Sequence, residues 1–447
     1  MAYLEIIKQI SILETGTVQG NFTFRNWASN IVAHVPYYYQ PETEDQLIAA
    51  IVKHAKVRVV GTGHSWSALI PTDEALINLD QYNKVISLDT AAKIITVQPG
   101  IKLWQLNEYL DAQGMAMTNL GSIAEQSIAG AVSTATHGSG IQYQILASLV
   151  RSFTLIKADG SKVTLDKEKD KETFELALVS LGSLGLISEM TLSVSEAFRL
   201  HDHTSLVDFD MMLENLDTYI RDTDHFKIWW FPHVSKAVLY QYNRTQDAAN
   251  DSRLRQWLMD EVLSVVVYRL LVFIGNIFPS WRPFFNTLLV KSFEKPLDRI
   301  EKSYKVFNVP APPIHRETEW AFDVKDARSV LAAYKKLIDE SDHKINFIQE
   351  IRFVKGDNFA LSPAYQRDSV WVGCYLIGDR GWPELLSDFE KLARSYFGRP
   401  HWGKEFTIDR AYLEGQYPAM KAFNELRKRY DPEGKFENGM MREVFGG

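Results

Sequence analysis

The sequence predicts an α+β protein of two domains, the second built on an antiparallel sheet. Three observations lead there. At 447 residues the chain exceeds one ordinary domain of roughly 100–200 residues. Up to about residue 195, short apolar runs alternate with glycine-bracketed turns and amphipathic stretches, the texture of a compact mixed domain. From about 200 to 400 the apolar runs lengthen, and helical stretches at 325–339 and 383–395 intervene, as in helices laid on an antiparallel sheet.

The elements follow in order. Thr43 with Gln46 reads as a capping box opening a helix to residue 54, with Leu47, Ile48, Ile51 and Val52 as its apolar stripe. A strand over 57–60 runs into Gly61-Thr62-Gly63-His64-Ser65-Trp66-Ser67, a turn that presents backbone N–H groups at a strand end and suits a phosphate. Short strands are predicted over 75–79, 84–88 and 93–97. A helix marked by Leu103, Leu106 and Leu110 stops at Gly114. A second tract rich in Gly, Ser and Thr covers 120–140 and keeps apolar residues at helical spacing, unlike a floppy linker. Strands 151–156 and 162–165 flank Asp159-Gly160 as a hairpin. A helix over 173–180, the turn Gly182–Gly185 and a strand over 186–194 complete the first domain. In the second, strands are predicted over 225–231, 344–353 and 369–376. A helix over 422–430 ends at Asp431-Pro432. The division expected is 1–195, 196–405 and a C-terminal segment, 406–447, packing back on the first domain.

Composition excludes several classes. With 49 basic and 56 acidic residues the net charge is −7, which weighs against a nucleic-acid partner. Cys374 is the single cysteine, so no internal disulfide or multi-cysteine metal site can form. The histidines show no metal-ligand spacing: His201 and His203 share a strand face without a third ligand, and no metal is expected. No Gly-x-Ser-x-Gly elbow supports a hydrolase. The N-terminus lacks the basic start and apolar core of a signal peptide, so a cytoplasmic or peripheral membrane location is expected. Residues 258–290 are strongly apolar, yet the run free of charges, Leu270–Trp281, is only 12 residues, short of the roughly 20 of a bilayer span. Peripheral membrane contact, with Trp257, Trp281 and Arg282 as interface anchors, and internal packing both fit.

The two glycine-rich tracts and Gly182-Ser183-Leu184-Gly185 resemble the flavin-binding tracts of the vanillyl-alcohol oxidase superfamily. Pro400-His401-Trp402-Gly403-Lys404 and the tail Asp431–Asn438 resemble its sugar-1,4-lactone oxidase and alditol oxidase group. The resemblance runs from about 24 to 438 and weakens over about 235–310. It implies a two-domain FAD-binding (PCMH-type) fold with a substrate domain capping the flavin. It also implies a covalent bond from His64 to the flavin's benzenoid methyl, compatible with a neutral imidazole nucleophile between close-approaching glycines. Gly61, Thr62, Gly63, Ser65 and Ser67 would cradle the pyrophosphate and ribose; Gly121, Ser127, Gly130, Thr134, Thr136 and Gly138 would line the opposite side, and Ile187 the adenine end.

Glu350 and Arg352 lie two apart on a predicted strand and so share a face. On periodicity alone they are equally a site or a structural bridge; the resemblance favours the site, with Glu350 at the reacting hydroxyl and Arg352 orienting. It further implies that Lys404 lies at the flavin N1–C2=O edge, that Ser122 meets substrate, and that His401 hydrogen-bonds it. The expected reaction is oxidation of an L-gulono- or D-arabinono-1,4-lactone with oxygen as acceptor and hydrogen peroxide as product. The alternatives are an alditol oxidase or a lactone dehydrogenase using cytochrome c or a quinone. Gly121 points to an oxidase, because the plant dehydrogenases of the group carry alanine there.

Overall fold

The protein is described here by a computed structural model, which covers residues 12–13, 17–250, 268–310 and 312–446. Its first five-stranded sheet runs, in spatial order, Ile12–Leu13, Thr17–Arg25, Val32–Tyr39, Ala75–Asn78 and Val57–Val60. The last three strands are parallel, so the chain needs a crossover between Tyr39 and Val57. Helix Glu44–Lys53 provides it, begun by the expected Thr43/Gln46 capping box and burying Leu47, Ala50 and Ile51. A second, wholly antiparallel five-stranded sheet runs Lys162–Asp166, Val150–Ile156, Leu186–Ser193, Ile94–Val97 and Val85–Asp89. The Asp159-Gly160 turn closes its hairpin with Gly160 at φ +80°.

The capping sheet has eight strands, all antiparallel: Leu297–Lys302, Arg199–Asp208, Lys236–Thr245, His225–Trp230, Gln349–Val354, Ser369–Leu376, Arg316–Asp323 and Arg399–Pro400. Its inner strands are buried on both faces. Phe226, Ile228, Trp230, Ile351, Phe353, Val370, Val372 and Cys374 pack under helices Ala327–Glu340 and Trp382–Ser395. The alternate residues, among them His225, Lys227, Glu350, Arg352 and Trp371, turn toward the first domain. The flavoprotein-like two-domain α+β expectation holds, and the helices lie on one face of the antiparallel sheet.

The C-terminal segment closes the assembly onto the first domain. Val57 N–H donates to Lys435 O at 2.9 Å. Arg58, fully buried, donates to Leu69, Leu181, Gly182 and Phe436 carbonyls. Asn438 Nδ2 reaches the carbonyls of Ala68, Leu69 and Pro71.

Two expectations change. The strand predicted over 344–353 starts only at Gln349, where its partner strand ends at Trp230. Ahead of it, Asn346 takes over from the ladder, exchanging hydrogen bonds of 3.0 and 2.9 Å with the backbone of Ile377. In the apolar insert, residues 258–267 and Trp257 lie outside the described residues. The remainder forms two short helices, Tyr268–Ile277 and Arg282–Val290, joined by a turn at Pro279–Trp281. Arg282 is not an interface anchor. It is buried and ties the hairpin together, donating to Gly275 O, Lys344 O and Asn276 Oδ1. Asn286 fixes the same helix to Pro232 and Ile345 carbonyls, so the outer face is left apolar: Phe273 is 63% exposed, Phe284 65% and Trp281 52%.

Candidate active site

A cleft with about 850 Å³ of empty space opens at the ends of the parallel strands. Gly61, Thr62, Gly63, His64 and Ser65 form one wall, Ser127, Gly130 and Thr134 the other, and Ile187 with Gly182 and Gly185 one end. Two of the glycines are required sterically. A Cβ on Gly61 would stand 2.0 Å from Ser127 Oγ, and Gly63 combines φ +69° with a Cβ position 2.8 Å from Phe24. The walls thus meet backbone to side chain with no room for a methyl group, which leaves the N–H groups of the turn accessible to a phosphate.

His64 is set at the cleft's inner end. Its ring stacks on Trp27 at 5.5 Å, and its Nδ1 is buried without a hydrogen-bond partner. Burial, then the charges of Lys404 and Lys102, holds its pKa down at about 4. The ring is therefore neutral near pH 7, with a nitrogen engaged by nothing among the described residues.

Four expected cleft residues lie elsewhere. Ser67 Oγ donates to Trp402 O at 2.5 Å, pinning the C-terminal strand region to the turn. Thr136 Oγ1 accepts from Gln126 Nε2, and a Cβ on Gly138 would sit 2.2 Å from Asn119 Oδ1. Both belong to a loop packed under the capping sheet, where His137 meets the Trp371 ring at 3.9 Å. Gly121 is also at that junction; a Cβ there would lie 3.2 Å from His137 O and 4.0 Å from Arg352 Nη1.

Under the capping sheet a smaller cavity, about 230 Å³, is lined by Leu120, Ser122, Ser139, His225, Lys227, Tyr242, Phe307 and Arg352. Strand register builds it: Lys227 stands opposite Arg352 and Trp229 opposite Glu350. Glu350 Oε2 accepts from Arg352 Nη2 at 2.6 Å; Oε1 accepts from Trp229 Nε1 at 2.9 Å and Lys227 Nζ at 3.3 Å. Arg352 Nη2 also donates to Ser122 Oγ at 2.6 Å, and Nη1 to His137 O at 3.1 Å. Burial alone would raise the Glu350 carboxyl, but Arg352 and Lys227 outweigh it and hold the pKa at about 2. Glu350 and Arg352 share a face and pair, and Ser122 meets them through the Arg352 guanidinium. Lys227 and Trp229 were missed, although their i, i+2 spacing on a strand was the same signal.

Lys404 and His401 both find partners within the chain. Lys404 Nζ is 2.6 Å from Glu317 Oε1 and 4.2 Å from the centre of the Trp66 ring. It is a paired cation beside His64 rather than a free one. His401 is not among the residues lining the small cavity; its Nδ1 accepts from Gly403 N–H at 2.9 Å, and burial presses its pKa down to about 3. His137, Glu319 and His401 place ligand atoms within 4.8 Å of one another, a buried trio that sequence spacing did not reveal. His137 lies between Gly138 O at 2.9 Å and Glu319 Oε1 at 3.4 Å. With His401 Nδ1 already an acceptor, these hydrogen bonds account for the trio, and no ion is assigned. His201 and His203 share Asp298 Oδ1, each at 2.9 Å, on the exposed side of the sheet.

Comparison with known proteins agrees with this geometry. Residues 35–166 match the FAD binding domain family, and residues 190–444 match the D-arabinono-1,4-lactone oxidase family. The chain is 30% identical to L-gulonolactone oxidase of Scyliorhinus torazame over 97% of this chain and 100% of that one. It is 31% identical to L-gulono-1,4-lactone dehydrogenase of Mycobacterium tuberculosis (strain H37Rv), over 94% of this chain and 98% of that one. It is also 31% identical to D-arabinono-1,4-lactone oxidase of Candida glabrata, over 93% and 91%. Among solved structures, cholesterol oxidase from B. sterolicum superposes with a TM-score of 0.83 at 15% identity, covering 98% of this chain and 99% of that one, a likeness of fold. The glycine walls, the unpartnered His64 nitrogen and these matches fit FAD in the larger cleft. The chain belongs to the D-arabinono-1,4-lactone oxidase family and carries that family's FAD-binding domain in its N-terminal half.

Proposed function

We propose that this protein oxidises a CH–OH carbon of an aldono-1,4-lactone, L-gulono- or D-arabinono-1,4-lactone in type, with oxygen as acceptor and hydrogen peroxide as product. The observation that carries this reading is the hydrogen-bonded series Lys227–Glu350–Arg352–Ser122, in which Ser122, Lys227 and Arg352 line the small cavity under the capping sheet. The hydroxyl, imidazole, ammonium and guanidinium groups that line this cavity are of the kind that hold a polyhydroxy ligand. FAD, when bound, supplies the hydride acceptor.

The chain's own groups do the rest. Glu350 stays ionised and presents carboxylate lone pairs to the hydroxyl of the reacting carbon; its low pKa makes it a holder of that proton rather than a strong base. Ser122 Oγ accepts from Arg352, so its own O–H is free to donate to a substrate oxygen. Arg352 places a cation where negative charge would build on a product oxygen, and Lys227 helps to hold Glu350 ionised. His64 would tether the flavin through its unpartnered nitrogen. We assign the division of the chain on the same reading: 1–195 with the 406–447 segment for the cofactor, 196–405 for substrate. A stopped-flow panel of aldonolactones and alditols, followed by bleaching of the flavin band, tests the reaction. Bleaching by alditols alone would reassign it to an alditol oxidase.

The acceptor rests on Gly121. An alanine Cβ there would crowd His137 O at 3.2 Å and approach Arg352 Nη1 at 4.0 Å, filling space beside the guanidinium that lines the small cavity. Gly121→Ala is expected to slow reoxidation of the reduced enzyme by air about tenfold or more, with flavin reduction by substrate changed much less. Reoxidation of the wild type that is slow in air and fast with cytochrome c would make it a dehydrogenase.

Membrane contact rests on the helical hairpin. Among the described residues no helix is long and apolar enough to cross a bilayer. The outer face nevertheless exposes Leu270, Phe273, Ile277, Phe278, Trp281, Phe284 and Leu288 together, a contiguous apolar patch of the kind that seeks an interface. Wild-type protein should sediment with phosphatidylcholine vesicles and be released by mild detergent. A Phe273→Ser, Phe284→Ser double variant should stay in the supernatant with its flavin intact. Wild-type protein that never sediments removes the membrane role.

A further inference from the structure

Within the small cavity one buried polar atom is unaccounted for by the chemistry above. His225 Nδ1 lies 3.0 Å from Ser139 O. A carbonyl can only accept, so Nδ1 carries the proton and Nε2 presents a lone pair. Nε2 is buried without a partner, while the residue lines the cavity. Nothing structural uses it: the ring is held by stacking on Tyr143 at 4.3 Å and by the edge of Phe307 at 4.7 Å. Burial lowers its pKa to about 4, so the lone pair persists at neutral pH.

Two residues along the same strand, on the same face, is Lys227. Its ammonium sits against the Trp229 and Tyr240 rings at 5.0 and 4.9 Å. Its single hydrogen bond to Glu350 Oε1 uses one of three donor hydrogens. The strand therefore offers the cavity a lone acceptor beside a spare donor, the complement of an alcohol O–H. A hydrogen atom, an ether or a methyl group could satisfy one of these groups at most.

We propose that His225 Nε2 and Lys227 Nζ bracket one hydroxyl of the substrate other than the one being oxidised, Nε2 accepting and Nζ donating, so that the enzyme selects sugar lactones carrying a free hydroxyl at that carbon. This rests on the lactone oxidation proposed above. His225 is then a specificity residue, and nothing in the redox step depends on it.

The test uses the flavin-loaded enzyme and a series of mono-deoxy aldonolactones. In the wild type, removal of one particular hydroxyl should lower kcat/KM for flavin reduction by about 10²-fold, because the site's polar groups are left unpaired. Removal of the reacting hydroxyl abolishes reduction, and removal of any remaining hydroxyl should matter little. His225→Phe keeps the aromatic stack and should cut that preference to about fivefold or less, mainly by raising KM for the full lactone. His225→Gln, which restores an acceptor, should recover part of it.

If no single deoxy position other than the reacting carbon matters in the wild type, the proposal is overturned without recourse to any variant. If His225→Phe discriminates as the wild type does, the assignment to His225 is wrong while the lactone reading stands. Should the wild-type flavin bleach with alditols and with no aldonolactone, the lactone reading falls, and deoxy-alditols put the same question to His225. Bleaching by neither class overturns both.

Discussion

Glu350→Gln is expected to slow substrate-driven flavin reduction by about 10²- to 10³-fold, the scale for removing one preorganised electrostatic partner, while the flavin stays bound. The carboxylate receives Arg352 Nη2, Trp229 Nε1 and Lys227 Nζ, and is buried. An amide of the same shape keeps one acceptor oxygen but turns its nitrogen toward a cation. The negative charge that balances Lys227 and Arg352 is lost, and with it the acceptor for the reacting hydroxyl. Breaking a buried pair also destabilises, by about 3–5 kcal/mol when one partner is removed outright; the isosteric change should cost less. Flavin content and the midpoint of thermal unfolding therefore accompany the rate measurement. Reduction at near wild-type speed would return Glu350 and Arg352 to a structural ion pair.

The same carboxylate makes a pH prediction. Its folded pKa, about 2, is below the ordinary value of 4.5. A depressed carboxyl pKa stabilises the fold above the unfolded value, and that contribution is lost as pH falls from about 4.5 toward 2. The wild type should lose more stability over this acid window than Glu350→Gln does. Parallel acid unfolding curves for the two proteins would contradict the assignment.

His64→Ala should convert a flavin that travels with the denatured protein into one that is wholly extractable. In the wild type, acid precipitation should leave the supernatant colourless, and the denatured band should fluoresce on a gel. The grounds are geometric: a buried Nδ1 with no partner, a ring fixed by Trp27, and a pKa held at about 4 so that the nitrogen is an available nucleophile. The rest of the cleft lining lies outside residue 64, so the variant should still bind FAD reversibly and keep the fold. Free flavin from the acid-treated wild type would rule out the bond.

What the sequence determined by itself is whatever is local or periodic. The Thr43/Gln46 capping box, the Asp159-Gly160 hairpin and the helices near 327–340 and 382–395 follow from neighbours a few residues apart. So does the glycine turn at 61–63, because its constraints are a backbone angle and a missing Cβ. The shared face of Glu350 and Arg352 came from the period of a strand alone.

The tertiary structure decided which charges meet. Lys227 joins Glu350 across 123 positions, and Lys404 reaches Glu317 across 87; no spacing rule relates them, since strand order in the capping sheet is set by which faces bury together. It also separated Ser67, Thr136 and Gly138 from the cleft, although their sequence neighbours line it. Arg282 shows the same limit in the apolar insert. In the sequence it is a charge flanking an apolar run; in the fold its guanidinium is spent on the carbonyls of Gly275 and Lys344 and on Asn276. A buried donor must find an acceptor, and only the folded chain determines which one is within reach.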